Sequence, residues 1–184
     1  MAELYKTKFI TLKSTDIFGH DWFYTTRENA KNVVVILPLI KNENDEDEVL
    51  FLITKRPPLI AENKAQYCVE TPAGLVGDER RDETIQEALK KELLEETGLV
   101  AKEFKIILDK ISSSSGLTDE SSVMAIAYIE DKEIKSTPIS DNGVIQDRIY
   151  VKKSQIKEFL NECNKKGWAI GAQTLAALYC SDWE

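Results

Sequence analysis

Three glutamates in the middle of the chain, Glu92, Glu95 and Glu96, have the types and spacing that point most directly to chemistry. On a helix they are related by i, i+3 and i+4, so their carboxylates share one face. Like charges at that spacing repel by roughly a few tenths of a kcal/mol. They also lie just before Gly98, where a helix ending there carries the negative end of its dipole and prefers basic residues. A divalent cation would offset both costs. Carboxylates so placed supply the hard oxygen ligands that Mg²⁺ takes, leaving its remaining positions to water and substrate phosphates. One of them could also polarise or deprotonate a water for attack on phosphorus. The competing reading of such a trio is a solvated acidic face.

The elements that must hold this trio can be placed from the pattern around it. Thr84-Ile85-Gln86-Glu87 fits a capping box, and Gly98 is a suitable stop, so a helix is expected between them. Residues 32–40 and 49–55 are rich in Val, Ile and Leu and read as buried strands. The polar, acidic run 41–48 between them reads as a solvated hairpin loop, with a calcium site the minor alternative. A short strand is expected at 66–70, stopped by Pro72 and Gly74. Further strands are expected at 104–110, 122–129 and 148–151, and terminal helices at 154–165 and 171–180. This order describes a mixed sheet with helices packed on its faces.

Composition bounds the partners. The 184 residues suit one domain with a single core, and 42% hydrophobic with 30% charged residues is ordinary for a folded soluble chain. A net charge of −8 argues against affinity for nucleic-acid backbones. It leaves room for a small phosphorylated substrate, provided that local arginines or bridging cations overcome the repulsion. No apolar run approaches the ~20 residues that span a bilayer, and the first residues lack the pattern of a signal peptide. Cys68, Cys163 and Cys180 show no C-x-x-C spacing. Reduced thiols in a cytoplasmic protein, with no membrane partner, are the expectation.

The stretch Gly77-x5-Glu83-x7-Lys91-Glu92-Leu93-x-Glu95-Glu96-x-Gly98-Leu99 resembles the Nudix box, with Lys91 where that family has Arg. Lysine keeps the charge but lacks the planar fork that can hold two carboxylates. The resemblance implies an α/β (α+β) protein. Its fold would be the Nudix α/β/α sandwich, with a mixed central sheet and an N-terminal antiparallel hairpin extension. Residues 1–184 would be one domain, with 1–30 a dimerisation or substrate-binding hairpin. The resemblance also implies a homodimer and an Mg²⁺ cofactor, with Mn²⁺ an alternative, held by Glu92, Glu95 and Glu96.

Glu70-Thr71-Pro72-Ala73-Gly74 resembles the E-x-P-A-G segment of ADP-ribose pyrophosphatases within that superfamily. There the Ala carbonyl is a metal ligand, a role that would fall to Ala73, and Glu70 joins the substrate-binding set. Whether Gly74 or Gly77 is the structural equivalent of the box glycine stays open. Arg56-Pro57-Pro58 resembles the strand end that sets an arginine against phosphates. The segment 21–27 resembles a hairpin in which Trp22 would stack on adenine and Arg27 would bind an anionic group. For Trp22, an ordinary partly buried aromatic is the equal alternative. The segment 114–120 resembles a loop that would bring Glu120 to substrate or water, an exposed turn acid being the alternative. The general base of these enzymes often lies in a loop before the last strand. Asp141 is the nearest acid there, and Glu95 is the other candidate. His20 reads as a surface residue. The implied activity is hydrolysis of the pyrophosphate bond of ADP-ribose, or of a related nucleoside-diphosphate sugar, to AMP and a sugar phosphate. The alternatives are another nucleotide substrate, or a Nudix-like module that binds without cleaving.

Overall fold

Residues 32–40, Asn-Val-Val-Val-Ile-Leu-Pro-Leu-Ile, are apolar at nearly every position, and such a strand must be covered on both faces. The computed structural model, which describes residues 1–42, 45–139 and 143–181, does cover it on both. Among the described residues the strands are β1 Ala2–Lys6, β2 Ile10–Ile17, β3 His20–Arg27, β4 Asn32–Ile40, β5 Glu48–Thr54, β6 Cys68–Glu70, β7 Ala73–Val76, β8 Glu103–Ser112, β9 Ser121–Ile129, β10 Ile145–Lys152 and β11 Ala169–Ile170. The helices are α1 Pro57–Ala61, α2 Ile85–Thr97, α3 Ile156–Lys165 and α4 Ala172–Ser181.

Strands β4 to β11 build an eight-stranded mixed sheet along the order β11-β6-β5-β4-β9-β8, with β10 added to β5 and β7 to β4. β4 runs parallel to β9 along its length. It meets β5 only at the hairpin end, through Leu39↔Val49 and Ile40↔Glu48. The other end of β4 pairs instead with β7, from Asn32↔Val76 to Val35↔Ala73. The two halves of the sheet therefore part where β7 begins, and that is the edge facing α2. Alternate residues divide the core. Val34 and Ile36 pack with Leu50, Leu52, Ala88, Leu89 and Leu93 beneath α2. Val35, Leu37, Phe51, Ile53, Met124 and Ile126 pack on the opposite face with Leu160, Cys163, Ala177 and Cys180 of α3 and α4. The result is the expected α/β/α sandwich around a mixed sheet.

Helix α2 begins and ends where its capping residues dictate. Thr84 accepts from the Glu87 amide while the Glu87 carboxylate accepts from the Thr84 amide, and Gly98 closes the helix in the left-handed conformation. Ala88, Leu89, Leu93 and Thr97 form its buried stripe, which turns the glutamates at 92, 95 and 96 toward the β7 edge.

Several elements differ from the sequence expectation. The expected N-terminal antiparallel hairpin is β2–β3, and β1 adds a third strand to it. It is tied to the main body where β3 meets the loop after β8, through the Thr25 amide to the Leu117 carbonyl at 2.8 Å. Gly74 does not end strand structure: β7 passes through it, because β4 offers a free edge there and the Pro72 carbonyl already accepts from the Ile36 amide. The described part of the acidic run forms ion pairs. Asp47 pairs with Lys41 and Asp45 with Lys152, and Glu46 accepts from Ser154 at the start of the α3 segment. It clasps the β4–β5 turn to β10 and α3, while Glu43 and Asn44 lie outside the described residues.

Candidate active site

A cleft of about 500 Å³ opens between α2, the β7 edge and the loops that carry Arg27, Arg56 and Glu120. Glu92, Glu95 and Glu96 line it together with Ala73 and Gly74. The Glu96 carboxylate accepts from the Ala73 amide at 3.0 Å, which locks the last turn of α2 to the start of β7. The Glu92 carboxylate lies directly on Gly74, where an added Cβ would stand 1.9 Å from its Cδ and 2.2 Å from each oxygen. A side chain at 74 could be accommodated only if the Glu92 carboxylate swung aside, so glycine here keeps that carboxylate in place. Gly77 has a different task. Its backbone has φ +85°, and its amide donates to Glu83 Oε2 at 2.8 Å. Gly77 keeps the box spacing to Glu83, and Gly74 makes room for the box carboxylate.

Lys91 points into a ring of carboxylates, 3.3 Å from both Glu83 and Glu92, 3.7 Å from Asp78 and 3.9 Å from Glu79. Burial pulls its ammonium down, but Glu92, Asp78 and Glu83 outweigh this and hold it above its ordinary value. The lysine point charge thus meets four carboxylates at the position where the family has a guanidinium fork. Glu92 shows the reverse balance. Burial raises its pKa to about 7, against the opposing pull of Lys91 and with further repulsion from Glu95 and Asp78. Asp78 and Glu79 enter the cleft wall from the Gly77–Glu83 loop. Their alternation with glycine and arginine carried no sequence signal for this placement.

The two arginines that line the cleft are each fixed by a carboxylate. Arg56, just after β5, donates through Nε to Glu70 Oε2 at 2.7 Å, and Thr54 Oγ1 donates to the same oxygen at 2.6 Å. Arg27, at the end of β3, donates through Nε to Glu120 Oε2 at 2.7 Å, and Ser113 Oγ donates to Glu120 Oε1 at 3.1 Å. Arg27, Arg56 and Glu120 line the cleft, whereas Glu70 stands behind Arg56 in an adjoining side pocket. Gln173, on the first turn of α4, reaches the cleft and donates to Ser122 Oγ at 2.8 Å.

Trp22 is not brought to this cleft. It lies on the N-terminal sheet, 54% exposed, with Nε1 donating to the Gly116 carbonyl at 3.3 Å. His20 is exposed beside the β2–β3 turn. Asp141, the candidate base, lies outside the described residues. Arg148 of β10 was not singled out by the sequence reading. It donates through Nε to the Glu96 carbonyl and through Nη2 to the Ile139 carbonyl at 2.8 Å. It brings to the C-terminal end of α2 the positive charge that the helix's own last turn lacks.

The donor set suits a hard cation. Among the described residues no group of three Asp, Glu, His or Cys side chains forms a cage that could hold a metal ion. An ion that keeps its waters and shares substrate phosphates needs no such cage. Glu92, Glu95, Glu96 and the Ala73 segment of β7 offer oxygens at one side of the cleft, and the buried Glu92 charge is the one that a cation would relieve.

The NUDIX domain family model matches residues 30–166 of the chain. No curated protein matches it significantly. Among solved structures, one described as an ADP compounds hydrolase aligns with a TM-score of 0.67 at 17% identity, covering 99% of this chain and 90% of that chain. Among the described residues no helix is long and apolar enough to cross a membrane.

Proposed function

The chain belongs to the NUDIX domain family, and on that premise we propose that it hydrolyses the pyrophosphate bond of ADP-ribose or a related nucleoside-diphosphate sugar, using Mg²⁺. The observation that carries the reading is the opposition of Glu92, Glu95 and Glu96 to the Ala73–Gly74 edge in a cleft that also holds Arg27 and Arg56. An acidic wall and two guanidinium groups on one cleft suit a substrate whose anionic centre is bridged by cations on one side and gripped by arginines on the other.

Mg²⁺ held by Glu92, Glu95, Glu96 and the Ala73 carbonyl would neutralise charge on the phosphoryl oxygens and make a bound water more acidic. Arg27 and Arg56 hold the diphosphate oxygens. Glu95, or Asp141, takes the proton of the attacking water. The water oxygen bonds to one phosphorus as the bridging P–O bond breaks, and the electron pair leaves on the second phosphate. ADP-ribose and water thus yield AMP and ribose 5-phosphate. Glu120, engaged by Arg27 and Ser113, is less free to take that proton.

The working unit in this reading is a homodimer built on the N-terminal sheet, which would let Trp22 stack on the adenine of a substrate in the other subunit. Three free, buried cysteines suit a reducing cytoplasm. Turnover of ADP-ribose compared with other nucleoside-diphosphate sugars and with oxidised nucleotides tests the substrate. A higher kcat/KM on any of the others displaces ADP-ribose.

A further inference from the structure

The two arginine contacts on the cleft are built alike, although their residues come from unrelated parts of the chain. On one wall Thr54 donates to Glu70, and Glu70 accepts Nε of Arg56. On the other, Ser113 donates to Glu120, and Glu120 accepts Nε of Arg27. In each case the carboxylate is fixed twice, once by a hydroxyl and once by a guanidinium. It holds the arginine by the nitrogen on the stem side, so the terminal Nη groups stay at the tip of a side chain that lines the cleft. The Nη groups form the edge that takes a phosphate bidentately, and their value depends on the plane of the guanidinium being set in advance.

We propose that Glu70 and Glu120 are positioning residues that fix the planes of Arg56 and Arg27, so that two preset guanidinium edges receive the linked phosphates of the substrate. The proposal rests on the nucleoside-diphosphate reading of the cleft and adds to it the groups that determine affinity. Glu70 does so from outside the cleft, in the side pocket behind Arg56. Burial lowers the Arg56 guanidinium, and Glu70, with a smaller contribution from Glu96, raises it back above its ordinary value. Glu120 ties the β3 end of the N-terminal sheet to the start of β9, which makes substrate grip and the placement of that sheet one device.

The test compares native protein with Glu70→Gln, Glu120→Gln, Thr54→Val and the pair Glu70→Gln/Arg56→Lys, by steady-state kinetics with ADP-ribose and Mg²⁺ and by melting temperature. Glutamine keeps the shape and one acceptor but removes the charge. Each single Glu→Gln is expected to raise KM about tenfold with kcat within about twofold, as loss of uniform binding does. Arg56→Lys is expected to add little to Glu70→Gln, since the plane is already lost. Three results overturn the proposal. One is unchanged KM in both glutamine variants. Another is a fall in kcat at constant KM with loss of the acidic pH limb in Glu120→Gln, which would make Glu120 a proton acceptor. The third is KM changes that merely track a lowered melting temperature. If native protein releases no AMP, the substrate reading has failed on its own. The same variants are then compared by calorimetric binding of ADP, where equal affinities across the series would overturn the positioning role separately.

Discussion

At Gly74 the missing side chain is what lets the Glu92 carboxylate lie against the β7 backbone. Gly74→Ala would drive that carboxylate out of place while leaving the strand pairing intact. Displacement of about 1 Å in such a group costs on the order of 100-fold in kcat. The expected outcome is that loss with a melting temperature within a few degrees of native, measured by turnover and calorimetry. Glu92 also gives the metal-free protein a pH signature. Its folded pKa of about 7 lies above the ordinary 4.5, so the folded chain binds this proton more tightly than the unfolded one. That contribution is fully present below pH 4.5 and is lost as pH rises through about 7. With the side chain 13% exposed, it amounts to roughly 3 kcal/mol at most. Metal-free protein should therefore melt lower at pH 8 than at pH 5, Glu92→Gln should flatten the slope, and Mg²⁺ should restore stability at pH 8. A slope unchanged in Glu92→Gln would assign it to other groups.

Helix α2 was legible because every signal for it is local. The capping box at Thr84, the buried stripe of Ala88, Leu89 and Leu93, and Gly98 at the end all lie within one stretch. Thr84→Ala should cost about 1 kcal/mol of stability, read by urea unfolding, because it strips one half of the reciprocal cap. β4, β5 and β9 were legible for the same kind of reason, as apolar runs too continuous for a half-exposed strand. β7 was not. Its four residues carry glycine after a proline, and they become a strand only because β4 leaves that edge open where it parts from β5. Arg148 was likewise invisible, since its partner is a backbone carbonyl 52 positions away. Glu70 and Glu120 could be picked out by motif, but the arginines they hold are joined to them only by the sheet and the β3–β9 contact. Replacing Arg148 with Met should loosen the segment that it fixes through Ile139, seen as faster amide exchange at Ile139, whose amide donates to the Glu95 carbonyl.

At the scale of the whole molecule, the main sheet buries both faces but the N-terminal sheet does not. Tyr5, Ile10, Leu12 and Phe23 fall on one face of it by register, and all are exposed. Exposed apolar side chains of this kind on a chain of net charge −8 fit the homodimer reading, because their burial would offset the repulsion between copies. Sedimentation should give a dimer, and Phe23→Asp should shift it toward monomer; a native monomer at micromolar concentration would remove that reading. The three-stranded form of this sheet was only partly legible. β1 has no apolar alternation, and its pairing with β2 is interrupted by a register shift between Glu3 and Tyr5.

In the proposed function the acidic face of α2 works with a divalent cation to cleave a nucleoside-diphosphate bond. The most direct test is product analysis with ADP-ribose and Mg²⁺, comparing native protein with Glu96→Gln. AMP is expected from the native chain, with a loss of on the order of 100-fold or more in the variant and folding retained. Equal AMP release from both proteins would contradict the role given to α2. No AMP from native protein at any Mg²⁺ concentration would contradict ADP-ribose as the substrate.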